Sequence, residues 1–102
     1  MYKSNIFIGS REVISSEYVD SFSGIDGSKI GEYARCSVEQ GKEALFVAKE
    51  AFAGSKNSHL SQRIAWINDV ADTLEKRKDE FAAIISNEVG KPIRFARIEV
   101  DR

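Results

Sequence analysis

The chain has 102 residues, of which 42% are hydrophobic and 30% charged, with a formal net charge of -1 at pH 7. That is the composition of an ordinary globular protein, and so small a net charge gives no field to steer phosphate or an anionic membrane. No stretch approaches the roughly 20 apolar residues of a membrane span, and Ile6-Phe7-Ile8 is too short for the core of a signal peptide.

The first third reads as strands and turns. Short β-favouring runs occur at Ile6–Ile8, Glu12–Ile14, Tyr18–Phe22 and Lys29–Arg35. Gly9-Ser10 lies between the first two as a two-residue hairpin turn, because glycine accepts the positive φ such turns need. The segment from Gly24 to Gly27 reads as a second turn. Residues 1–36 are thus expected to form an antiparallel β-hairpin region.

After Cys36 the apolar period changes from two to 3.6, and residues 37–102 are expected to form a helical region of three or four helices. Ser37-Val38-Glu39-Gln40 fits a capping box, in which the serine oxygen and the glutamine side chain each satisfy a free backbone N–H. Val38, Gly41, Ala44, Leu45, Ala48, Ala51 and Phe52 then share one face, and Gly54 reads as the stop. Phe46 points away from that stripe, among Glu39, Lys42, Glu43, Lys49 and Glu50. A loop at Ser55–His59 leads to a second pattern, Leu60, Ile64, Ile67, Val70, Ala71 and Leu74, continued in phase by Phe81, Ile85 and Val89. About 30 residues is long for one helix, so a break is expected near Lys78-Asp79. Gly90-Lys91-Pro92 ends the pattern, since glycine supplies a left-handed cap and proline starts the next helix, with Ile93, Ala96 and Val100 on one face. That last period meets no capping residue before Arg102, which suggests a chain cut short. The fold class is α+β, with no parallel βαβ unit.

Chemistry-bearing residues are few. Cys36 is the only cysteine, so no intrachain disulfide forms and a reducing, cytoplasmic setting is favoured. With no histidine near it in sequence to act as its base, Cys36 at the β-to-helix junction reads as a small buried filler, not a nucleophile. His59, the only histidine, reads as a solvated or helix-capping residue, and one cysteine with one histidine cannot build the usual zinc site. Gly24, Gly27 and Gly31 lack the G-x-G-x-x-G spacing of a phosphate loop and read as turn glycines. The basic run Lys76-Arg77-Lys78 is flanked by Glu75, Asp79 and Glu80, so a solvated face is expected, not a nucleic-acid patch. From the residues alone no catalytic, cofactor-binding or metal-binding side chain is assigned.

Several segments do form a pattern: Leu60-Ser61-Gln62-Arg63, Val70-Ala71-Asp72-Thr73-Leu74-Glu75, Glu80-Phe81-Ala82, Glu88-Val89-Gly90-Lys91-Pro92-Ile93, Ala96-Arg97 and Glu99-Val100-Asp101-Arg102. In order and spacing they resemble the helical stretch before the first Rossmann strand of the NAD(P)-dependent aldehyde dehydrogenases. Phe7-Ile8-Gly9-Ser10 is similar to that family's opening hairpin, and Ser37 to Phe52 to its first amphipathic helix. The turn Ser21 to Ser28 departs from the family's Asn-Pro-x-x-Gly-Glu, lacking the proline and running longer. The resemblance implies the N-terminal part of an NAD(P)-binding domain in an enzyme oxidising an aldehyde to a carboxylic acid with NAD or NADP. It places the nucleophilic cysteine, the glutamate base and the nucleotide site beyond these residues, so the catalytic and oligomerisation domains are expected to be absent here. On this reading the segment alone is non-catalytic, binds no cofactor, and needs the remainder of the fold, on the same or a separate polypeptide, with self-association expected. A stand-alone helical interaction module derived from that scaffold is the alternative.

Overall fold

A computed structural model describes all residues, Met1–Arg102. Five strands, β1 (Tyr2–Ser4), β2 (Ile6–Ile8), β3 (Arg11–Val13), β4 (Tyr18–Phe22) and β5 (Lys29–Ala34), precede four helices. The helices are α1 (Val38–Ser55), α2 (Leu60–Lys76), α3 (Lys78–Val89) and α4 (Ile93–Val100). The residues form two compact units, Met1–Ser21 with Gly31–Ser58, and Phe22–Ile30 with His59–Arg102.

In the first unit β2 and β3 pair antiparallel, with Ile8 opposite Arg11. Gly9 has φ 62° and no other residue type in the chain has positive φ, the pattern of a type II′ turn. A three-stranded sheet runs β1-β5-β4, and β1 joins it parallel to β5, Tyr2 opposite Gly31. This strand is a departure from the wholly antiparallel expectation. Its three residues are all exposed and carry no apolar alternation, and its partner lies far along the chain, so no local turn announces it. Gly31 makes the pairing possible, since a Cβ there would lie 2.5 Å from the Tyr2 carbonyl oxygen. The buried Ser15 hydroxyl donates to the Arg35 carbonyl at 2.5 Å and accepts from the Glu17 amide at 3.0 Å, tying the approach to β4 to the end of β5.

The capping box at Ser37 forms as expected: the Gln40 amide donates to Ser37 Oγ at 3.1 Å and the Ser37 amide to Gln40 Oε1 at 2.9 Å. Helix α1 runs through Gly54 to Ser55, so Gly54 is helical and not the stop. It meets the β2–β3 hairpin with Val47 beside Gly9 and Arg11 Nη2 2.7 Å from Glu43 Oε1. Most of the apolar stripe read from the sequence, including Val38, Leu45 and Phe52, lies exposed instead, because the short hairpin covers only one edge of the helix.

In the second unit α2 and α3 are divided at Arg77 (φ -109°), one residue before the expected break. Gly90 closes α3 in the left-handed conformation, φ 69°, and Pro92 occupies the N-cap of α4. Helices α3 and α4 pack on small residues, Ala82 and Ala96, both 0% exposed. Across the same pair Lys78 Nζ lies 2.5 Å from Asp101 and Arg97 Nε 2.9 Å from Asp79. The β4–β5 turn lies against the end of α3: the Gly24 amide donates to the Asn87 carbonyl at 2.8 Å. A Cβ at Gly24 would stand 2.7 Å from the Gly90 nitrogen and the Val89 carbonyl carbon.

The glycines therefore differ in what a methyl group would do. Gly24→Ala is expected to lower stability by about 1–3 kcal/mol, because backbone on both sides must move. Gly41→Ala, in α1 with nothing within 4 Å of the added Cβ, is expected to raise it by about 0.5–1 kcal/mol through the unfolded chain's lost freedom. Urea midpoints of the two variants against the parent check the opposite signs.

Candidate functional site

The single residues that could carry chemistry lie apart. Cys36 stands in the short link between β5 and the Ser37 cap, and it is exposed. The expectation of a buried filler is thus wrong: residues 35–39 around it are exposed as well, so no packed surface receives the thiol. His59 is exposed at the N-cap position of α2, but its side chain makes no capping hydrogen bond. Gly24 and Gly31 serve close backbone approach, and Gly27 (φ 73°) serves the turn.

Charged groups are largely matched in pairs. Arg77 makes a two-pronged contact to Glu80, Nε to Oε2 at 2.8 Å and Nη2 to Oε1 at 2.7 Å, and lies over the Phe81 ring. That hydrogen bonding lowers the Glu80 carboxyl's pKa and raises the guanidinium's. Lys91 pairs with Glu99. Lys3 sits 2.8 Å from Glu32 and 4.0 Å from the Tyr18 ring centroid, and the hydrogen bond to Glu32 raises its pKa. In the β4–β5 turn Asp26 Oδ1 accepts from the Ser28 amide at 3.0 Å and from its hydroxyl at 2.8 Å. Those bonds, the amide's first, hold the Asp26 carboxyl below its ordinary pKa. No group of three or more His, Cys, Asp or Glu is placed to hold a metal ion.

What the structure does present is apolar surface. In the first unit Phe46 is 64% exposed on the charged side of α1, where the helical period put it. In the second, every residue of α2 from Leu60 to Thr73 is exposed. Leu60, Ile64, Ile67 and Val70 therefore form an uncovered seam, with Trp66 47% exposed on its flank. Beside the seam's end lies an open hollow of about 370 Å³ lined by Asp69, Val70, Thr73, Leu74 and Phe81. A second hollow, about 630 Å³, is lined by Lys91, Phe95, Ile98, Glu99 and Arg102. Neither brings a nucleophile to a base. The periodic pattern showed that α2 has an apolar face, but not that nothing within these residues covers it. No helix is long and apolar enough to cross a membrane.

A family model described as the aldehyde dehydrogenase family matches residues 12–102. The chain belongs to that family. It is 28% identical over 100 residues to the mitochondrial succinate-semialdehyde dehydrogenase of Rattus norvegicus, covering 98% of this chain and 19% of the rat protein. It is 34% identical over 97 residues to a lactaldehyde dehydrogenase of Methanococcus maripaludis, covering 95% of this chain and 21% of that one. Among solved structures, an NADP-dependent glyceraldehyde-3-phosphate dehydrogenase from Bacillus halodurans, complexed with NADP, superposes with a TM-score of 0.94 at 28% identity. That match covers 98% of this aldehyde dehydrogenase family chain and 21% of the solved one. The chain thus spans about a fifth of the length of the relatives it matches.

Two measurements check the site as described. An uncharged alkylating reagent should modify Cys36 as fast in the folded chain as in urea; strong protection in the folded state would contradict its exposure. The stabilisation from Asp26 should be complete above about pH 4 and be lost as pH falls through its lower folded value. Carbon-detected NMR titration should show Ser28→Ala, which removes the hydroxyl bond but keeps the amide's, raising the Asp26 pKa only part of the way to the ordinary range.

Proposed function

We propose that these residues form the N-terminal part of the NAD(P)-binding domain of an oxidoreductase that converts an aldehyde to a carboxylic acid with NAD(P)+. The observation that carries this is the family match along residues 12–102, joined by backbone agreement with an NADP-complexed relative. In such an enzyme the bound nucleotide would accept hydride from the substrate carbon. The segment's own work is structural: its caps and turns fix four helices whose apolar faces support the rest of the fold.

The partner on this reading is the remainder of an aldehyde dehydrogenase fold, continuous with the segment or supplied by another polypeptide. Three features support it: the uncovered α2 seam, Phe46 on α1, and a buried apolar set of only Ile8, Ala82 and Ala96. Each large apolar side chain left in water forgoes about 1.5–3 kcal/mol, against a net domain stability of about 5–15 kcal/mol. Taken alone, the segment is expected to self-associate or to lose fixed packing. The reducing setting suggested by a lone cysteine supports a cytoplasmic place, although the rat relative is mitochondrial.

The segment by itself should neither oxidise aldehydes nor bind NAD(P) tightly. Mixing it with a family enzyme lacking the corresponding residues should restore aldehyde-dependent NAD(P)H formation, followed by absorbance. Ile64→Asp with Ile67→Asp should abolish that rescue, while Cys36→Ser should leave it unchanged. Sedimentation of the segment alone gives the second test. A compact monomer with sharp thermal unfolding would show that it closes its own core and would sink the partner reading.

A further inference from the structure

We draw no further inference here: the strongest candidate, the open hollow beside α4 lined by Lys91, Phe95, Ile98, Glu99 and Arg102, is an apolar surface patch, and nothing in the structure shows what covers it beyond the remainder of the fold already proposed.

Discussion

The end of α3 is held by a contact in which neither partner has a side chain. A helix leaves its last carbonyls without partners inside the helix. Here the Ser86 carbonyl accepts from the Gly90 amide, and the Asn87 carbonyl accepts from the amide of Gly24 in the β4–β5 turn. The two backbones approach so closely that a Cβ on either glycine would fall within 2.8 Å of the other chain segment. Ser86 adds a bond of its own, its hydroxyl donating to the Lys91 carbonyl at 2.7 Å. Together these fix where Pro92 turns the chain into α4, and so the crossing at which Ala82 meets Ala96. The turn that lacks the family's proline is anchored by this contact instead.

Outside that anchored corner, local order and tertiary cover are uneven. The capping box, the type II′ turn and the left-handed Gly90 are satisfied by neighbours in sequence, so they need no distant surface. The apolar faces they organise stay largely exposed. Helix α2 has a continuous exposed seam, and the surface pairs Arg77–Glu80 and Arg97–Asp79 are of the exposed kind that contributes little to stability. The segment is therefore well specified in its elements, while most of its large apolar side chains stay exposed.

Much of this was legible in the residues. The break between α2 and α3 fell one position from where the length of the apolar period put it, and Phe46 emerged on the charged side as its angle required. The family too could be read, because the segments from Leu60 to Arg102 resemble, in order and spacing, the helical stretch of aldehyde dehydrogenases. Three things were not legible. The strand β1 depends on a partner brought in by the fold, not by a turn. Cys36 was assigned by the habit of its residue type, yet its burial depends on whether a surface reaches the β5–α1 link. Gly24 and Gly31 read only as turn glycines, because the close backbone approach each one permits is set by segments distant in sequence.

The parallel pairing of β1 with β5 also sets an order of assembly. Until β2, β3 and β4 have been made, the residues of β1 have nothing to pair with. The β2–β3 hairpin, by contrast, can close as soon as Val13 is available. Joining ends so far apart costs loop entropy before any ladder bond is returned, so such a pairing forms late. During synthesis Tyr2–Ser4 therefore waits as a free strand, and β5 keeps an open edge of its own until the two meet. Gly31 leaves room for the Tyr2 carbonyl, so the edge that would otherwise be open to a neighbouring strand is closed by the chain's own earlier residues.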